Sequence, residues 1–216
     1  MMELDRIYLG DCLEIMKGIS EKSIDAIYTD IPYESSFQKH TIKKIGQGYG
    51  FSKSSSERLE PIMNGIDYDA FARESLRVLK RPNLYIWCSF NQTFKIRDAL
   101  ERATRKKLTY SLLVWHKTAT CLMNYGQWLP DLEYCLVATD GVGIANKEKL
   151  RPTRIYESTF NSSENREWGH PTVKPLAMVR QHIRLIAPPI PQFLTRSAEV
   201  GRPALPARNL ADTSLA

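Results

Sequence analysis

A short segment near the start of the chain, Asp30-Ile31-Pro32-Tyr33, combines residue types that could hold an aromatic amine. It follows an apolar run, and the carboxyl ends of strands are where α/β sheets place their ligand crevice. Proline fixes its backbone and lacks an N–H, so the carbonyl of Ile31 can point outward beside the Asp30 carboxylate. Two acceptors can hold an amine by both hydrogens, and Tyr33 could stack on its ring. The alternative is a plain turn, because Asp and Pro are common turn residues.

The elements that must position this segment alternate between short apolar runs and helical patterns. The strand candidates are residues 5–9, 24–29, 83–89, 111–116 and 134–139, and the helix candidates are residues 12–19, 68–79, 91–105 and 176–186. Short β-branched or aromatic runs between polar residues are typical of buried parallel strands. Apolar residues at helical spacing predict amphipathic helices. The alternation therefore predicts a doubly wound α/β sheet.

The composition is that of a globular domain, with 216 residues, 43% hydrophobic and 25% charged, which excludes a disordered or fibrous chain. A formal charge of +6 suits a polyanionic partner without identifying one. The cysteines form no CxxC pair, so the sequence predicts reduced thiols and no metal site. The chain begins without a signal-peptide pattern, and no apolar run approaches the ~20 residues of a membrane span. These features predict a cytoplasmic protein that does not enter a membrane.

Together with its neighbours, the Asp30 to Tyr33 segment resembles the catalytic motif of the amino-methylating DNA methyltransferases, which is Asp/Asn/Ser-Pro-Pro-Tyr/Phe/Trp at a strand end. Residues 7–16 and 22–30 also resemble the family's opening, in which a Gly-Asp pair precedes a helix and the catalytic strand. Downstream, His-Pro-Thr-Val-Lys-Pro at 170–175 is similar to the motif that begins the helix before the cofactor loop, in the subgroup whose catalytic motif comes first. Ile31 departs from the pattern, because the family usually has proline there.

This resemblance implies a Rossmann-like methyltransferase domain over residues 1–189. The implied reaction transfers a methyl group from S-adenosylmethionine to the exocyclic amine of a flipped base in double-stranded DNA, with adenine N6 favoured over cytosine N4. Asp30 and the Ile31 carbonyl would hold the amine, and Pro32 would fix the loop. Tyr33 would stack on the base.

The resemblance also implies residues that bind the cofactor. They are Asp11, Cys12, His170, Thr172, Lys174 and Pro175. Asp11, with the backbone at Cys12, would contact the adenine of S-adenosylmethionine. The alternative for Asp11 is a helix N-cap, which is a common role for an aspartate before a helical pattern.

Two polar segments, 34–64 and 140–169, are expected to contact DNA. The first is rich in Ser, Lys and Gly and too long for a passive connection, which predicts either a mobile functional loop or an insertion. The second lies where the family keeps its target-recognition segment. The side chains that could reach phosphates or base edges are Lys39, Lys43, Lys44, Lys53, Arg58, Asn161, Asn165 and Arg166. The alternative is that these polar loops are simply solvated.

Residues 190–216 do not resemble the family. The family's next element is a strand ending in a turn like Asp-Pro-Phe-x-Gly-Ser-Gly-Thr-Thr, and the sequence lacks it. We therefore expect an incomplete sheet without its central cofactor strand, a disordered tail, and weak or lost binding of S-adenosylmethionine. Read one base out of frame, the codons possible from Pro189 to Ala216 permit NSTVLDPFSGSGTTGVACKKLGRHFIG, which contains that strand and turn. The hypothesis is a one-base frameshift near Pro189.

Two other functions stay open on the sequence alone. A chain without the glycine turn could be an inactive remnant that only binds DNA through its basic loops. Similar Pro-Tyr motifs also occur in methyltransferases that act on RNA or on a protein glutamine. The His-Pro-Thr-Val-Lys-Pro segment favours DNA over these substrates.

Overall fold

The computed structural model describes residues 7–34, 66–119, 128–129, 131–141, 153–159 and 173–186, together with the backbone of 193–197. In chain order the elements are α1 (Cys12–Lys17), β1 (Ala26–Asp30), α2 (Tyr68–Val78), β2 (Asn83–Cys88), α3 (Phe90–Ala103), β3 (Thr109–Lys117), β4 (Leu132–Thr139), β5 (Ile155–Ser158), α4 (Leu176–Ile186) and β6 (Phe193–Ser197). No helix within the described ranges is long and apolar enough to cross a membrane.

The six strands form one mixed sheet in the order β5-β3-β4-β2-β1-β6. β1 pairs in parallel with β2 and β6, and β3 pairs in parallel with β5, whereas β4 runs antiparallel to both β2 and β3. The predicted α/β class is confirmed. The antiparallel direction of β4 was not predicted, because a strand buried on both faces has the same apolar pattern in either direction.

Helices cover both faces of the sheet. Successive side chains of a strand point to opposite faces, so Ile27 and Tyr28 of β1 enter different cores. Ile27 packs with Phe71 of α2 and Ile96 of α3. Tyr28 packs on the other side with Met178 of α4. This arrangement agrees with the doubly wound architecture and leaves the carboxyl end of β1 between the two helical layers.

The position beside β1 that we expected to be empty holds a strand. The backbone of β6 pairs with β1 over its whole length, with Phe193 opposite Ala26 and Ser197 opposite Asp30. The edge of β1 presents unpaired N–H and C=O groups, and these can bind a short extended segment that has no proline. Residues 193–197 therefore form a strand where disorder was expected, although the next residues are Ala-Glu-Val and not a glycine turn.

Two further differences concern weakly patterned segments. Residues 7–9 are not a strand, although 5–9 had been predicted as one. Conversely, β5 lies within the polar segment 140–169, where no strand was predicted. Its burial alternates only between exposed and half-buried, and Ile155 is 56% exposed, so it has no apolar pattern to recognise.

Candidate active site

The Asp30 to Tyr33 segment lies at the carboxyl end of a strand near the centre of the sheet. Asp30 is the last residue of β1 and is paired with Trp87 of β2. The N–H of Ile31 then donates to the carbonyl of Trp87 at 3.2 Å, and the Ile31 side chain is only 2% exposed. Proline has no N–H, so the residue usual in the family could not make this bond. Ile31 extends the β1–β2 pairing by one residue past the strand.

A buried glutamine holds the next residue of the segment. Nε2 of Gln92, in the first turn of α3, donates to the main-chain carbonyl of Pro32 at 2.9 Å and contacts the Tyr68 hydroxyl at 3.0 Å. The Tyr68 hydroxyl donates to the Glu34 carboxylate at 2.6 Å. Gln92 has no exposed surface. The backbone after Asp30 is thus tied to the starts of both α2 and α3.

Lys174 contacts the Asp30 carboxylate directly. Its ammonium donates to Asp30 Oδ2 at 2.7 Å and pairs with Glu133 Oε2 at 2.9 Å. The same nitrogen lies 3.3 Å from the Tyr33 hydroxyl and 5.3 Å from the centre of the Trp87 ring. The Lys174 side chain is 13% exposed. An ammonium taken out of water in this way needs nearby carboxylates, and it has two.

Strand geometry explains why these groups meet. β2 lies between β1 and β4, and the side chains of Asp30, Trp87 and Glu133 are all directed to the α4 face of the sheet. Lys174 comes from the segment just before α4, which packs on that same face. Its side chain crosses the Trp87 ring and reaches a carboxylate on either side. The site is therefore assembled from β1, β2, β4 and the segment that leads into α4.

A second lysine completes the group. Lys117, the last residue of β3, pairs with Glu133 Oε1 at 2.6 Å. Burial opposes the charged form of Glu133, but the Lys174 and Lys117 ammonium groups outweigh it and hold the pKa of Glu133 below its usual value. Burial likewise opposes the charge on Lys174, and the negative groups around it raise its pKa well above the ordinary value. Glu133 and Lys174 are therefore both charged near neutral pH.

The predicted cofactor residues are only partly described. Asp11 caps α1, because its Oδ1 accepts from the N–H groups of Leu13 and Glu14 at 2.8 and 3.1 Å. The alternative of a helix N-cap is thus confirmed, and Cys12 is the first residue of that helix. Pro175 precedes α4 and its carbonyl accepts from the Val179 N–H at 3.1 Å. His170 and Thr172 lie outside the described residues. A cofactor role for any of these residues stays a prediction.

The predicted DNA contacts also lie outside the described residues. They are Lys39, Lys43, Lys44, Lys53, Arg58, Asn161, Asn165 and Arg166. Within the two polar segments, the structure describes only residues 34, 140–141 and 153–159.

Sequence reasoning missed Trp87, Gln92, Lys117 and Glu133. One signal for Glu133 was available, because it is a charged residue at an inward position of a strand whose following residues are buried. Gln92 also stood in a helix that the sequence predicted, but its inward direction depends on the packing of that helix. The partners of these residues come from different elements, so no spacing in the sequence could reveal the network.

Comparisons with known proteins identify the fold. No family model matches the chain, and no curated protein matches it. Among solved structures, M1.HpyAVI matches at a TM-score of 0.55 with 20% identity, covering 95% of this chain and 87% of that one. The complex of M1.HpyAVI with SAM matches at 0.52 with 21% identity, covering 91% and 82%. The cytosine-N4-specific PvuII DNA methyltransferase matches at 0.57 with 12% identity, covering 87% and 72%. The chain has the α/β fold of the amino-methylating DNA methyltransferases.

Proposed function

We propose that this chain holds the exocyclic amine of a flipped DNA base for methylation by S-adenosylmethionine, with adenine N6 favoured over cytosine N4. The observation that carries the proposal is the placement of Asp30, Ile31, Pro32 and Tyr33 at the carboxyl end of β1, in this fold. That end of a parallel strand is where α/β sheets bind their ligands. The Asp at the first motif position supports adenine.

The chemistry rests on two acceptors and one ring. The nucleophile is the neutral amine, whose lone pair is delocalised into the base. Hydrogen bonds from the amine to the Asp30 carboxylate and the Ile31 carbonyl localise that pair and stabilise the positive charge that develops on nitrogen. The Tyr33 ring stacks on the base. The hydrogen bonds from the Ile31 N–H to the Trp87 carbonyl and from the Gln92 amide to the Pro32 carbonyl keep the acceptors in place before the base arrives.

The residues present fit S-adenosylmethionine only in part. When bound, the cofactor supplies the methyl group. One oxygen of Asp11 already caps α1, and the ammonium of Lys174 is held by two carboxylates. After β6 the sequence continues Ala198-Glu199-Val200, where the family has glycines that let the backbone approach the cofactor. We therefore propose that cofactor binding is weak and that methyl transfer by this chain is slow.

The test is transfer of a tritiated methyl group to unmethylated DNA at saturating cofactor, with Asp30→Ala and the control Asp98→Ala, a half-buried aspartate of α3 that pairs with Arg97. We expect slow labelling by the wild type and the control and none by Asp30→Ala. Chromatography of the hydrolysed DNA then identifies the labelled base. If the folded wild type binds DNA but never labels it, the chain is the inactive remnant and the proposed transfer is wrong. Labelling of RNA in preference to DNA would reassign the substrate.

Calorimetric titration tests the cofactor separately. We expect a dissociation constant well above the micromolar range, because the glycine turn is missing. Micromolar affinity would show that residues other than a glycine turn bind the cofactor.

A further inference from the structure

The contact between Lys174 and Asp30 raises an electrostatic problem for the proposed site. The Lys174 ammonium donates to Asp30 Oδ2 at 2.7 Å. A carboxylate that is paired with a lysine exerts little net electrostatic attraction on an amine that becomes positive during methylation. A second negative charge beside the lysine would restore the field.

Glu133 provides that charge at hydrogen-bonding distance. Its Oε2 lies 2.9 Å from the Lys174 ammonium, and its side chain is 14% exposed. Its other oxygen, Oε1, pairs with Lys117 at 2.6 Å. The glutamate thus has a fixed orientation, in which Oε1 faces Lys117 and Oε2 faces Lys174 and also accepts from the Tyr33 hydroxyl at 3.4 Å.

The four side chains form a row of alternating charge across the sheet. The order is Asp30, Lys174, Glu133 and Lys117, from β1 through the segment before α4 to β4 and β3. We call this row the charge ladder. Its negative end is Asp30 and its positive end is Lys117. A row with this polarity directs negative potential toward whatever contacts Asp30.

We propose that Glu133 is a positioning residue, which holds Lys174 between two carboxylates so that Asp30 keeps a net negative field toward the bound amine. The inference rests on the proposed function. It assigns Lys174 to the part of the site that would hold the base, because Lys174 acts on the bound amine through its contact with Asp30. It also gives Lys117 an opposing influence, because its positive charge offsets part of the charge of Glu133.

A pair of adenine nucleosides probes this field without any need for the cofactor. Adenosine is neutral, whereas 1-methyladenosine carries a positive charge at neutral pH. Both nucleosides carry the exocyclic nitrogen N6 on the same ring carbon. The two dissociation constants are measured by NMR from the amide shifts of Ile31 and Tyr33. The ratio of the two constants within one variant reports the field at Asp30. Comparing the ratio between variants removes the steric effect of the added methyl group.

The matched variants are Glu133→Gln, Lys117→Met and the exposed control Glu14→Gln, whose side chain is 68% exposed. We expect Glu133→Gln to lower the preference for the cation about tenfold, because one nearby charge is removed at low effective dielectric. Lys117→Met raises the preference, and Glu14→Gln leaves it unchanged. If Glu133 and Lys117 only stabilised the structure, replacing either one would change the preference for the cation in the same direction. Changes in opposite directions therefore indicate an electrostatic role.

The outcomes separate the inference from the proposed function. Binding of both nucleosides with the same ratio in all variants overturns the role of Glu133 alone. Failure of the wild type to bind either nucleoside overturns the inference together with the base-binding site. If Glu133→Gln does not fold, Lys117→Met decides the matter, since an unchanged or lowered preference for the cation in that variant contradicts the charge ladder.

Discussion

The side-chain amide of Gln92 donates to the main-chain carbonyl of Pro32 at 2.9 Å, and both groups are buried. The carbonyl end of the same side chain accepts from the N–H of Ser89 at 3.0 Å, just before α3 begins. One glutamine therefore fixes the start of a helix and the loop that carries the candidate acceptors. The loop geometry depends on α3 as well as on its own proline.

Replacement of Gln92 by leucine should destabilise the protein and impair the site together. The Pro32 carbonyl would lose its partner in a buried position, which costs about 1–3 kcal/mol. Urea unfolding measures this loss. Gln181→Leu, at an exposed position of α4, is the matched control and should change stability little. Equal stability of the two variants would show that the Pro32 carbonyl does not depend on Gln92.

Ile31→Pro would restore the family's usual residue, and we nevertheless expect it to be destabilising. It removes the bond from the Ile31 N–H to the Trp87 carbonyl and exchanges a fully packed side chain for a smaller one. The expected loss is about 2–4 kcal/mol in the free energy of unfolding, from one hydrogen bond and a partly emptied core position. Ile31→Val keeps the N–H and should lose only about 1 kcal/mol. Equal losses in both variants would mean that the hydrogen bond is unimportant.

Glu133 should make a contribution to the free energy of unfolding that is lost at acidic pH. Burial opposes its charge, but Lys174 and Lys117 hold its folded pKa below the ordinary value of 4.5. A lowered carboxylate pKa stabilises the protein above the unfolded pKa, and this contribution disappears as pH falls through the folded pKa. The difference in unfolding free energy between wild type and Glu133→Gln should therefore be constant above pH ~5 and shrink below pH ~4. Chemical unfolding across that range checks it, and a difference that grows in acid would contradict the ion pairs.

His182 should give the stability of the protein a second dependence on pH, over a higher pH range than that of Glu133. Burial lowers its pKa to about 4, and its Nδ1 lies 3.3 Å from the Tyr28 hydroxyl. The unfolded chain takes up this proton near the ordinary value of 6.5, so stability falls as pH drops from about 6.5 toward 4. The slope approaches about 1.4 kcal/mol per pH unit.

NMR titration of the imidazole signals measures this pKa directly, and His182→Phe should remove the slope. A His182 that titrates near 6.5 would show that it is not buried as described.

The elements whose apolar pattern reflects burial could be predicted from the sequence, whereas a strand that forms only by pairing with a neighbouring strand could not. α4 was predicted with its observed bounds, because Pro175 precedes it and its apolar residues recur at helical spacing. β6 was missed, since its five residues have no distinctive pattern and are ordered by the edge of β1.

The candidate site shows the same division. Asp30 to Tyr33 could be predicted because four consecutive residues carry the chemistry. The ladder could not, because Glu133 precedes one apolar run and Lys117 follows another, and only the sheet order brings them to one face. Lys174 was predicted to belong to the site, but its contact with Asp30 depends on how the segment before α4 crosses the sheet.

The contact between Asp30 and Lys174 joins residues that are 144 positions apart in the chain. Loops of such length close late in folding, because their entropy is lost before the contact is gained. On the ribosome, Asp30 is synthesised long before its partner, and β1, α2, β2 and α3 can all form while that carboxylate still faces water. The candidate site is therefore completed only when the chain beyond residue 173 has been made, after the strands and helices around Asp30 have already been synthesised.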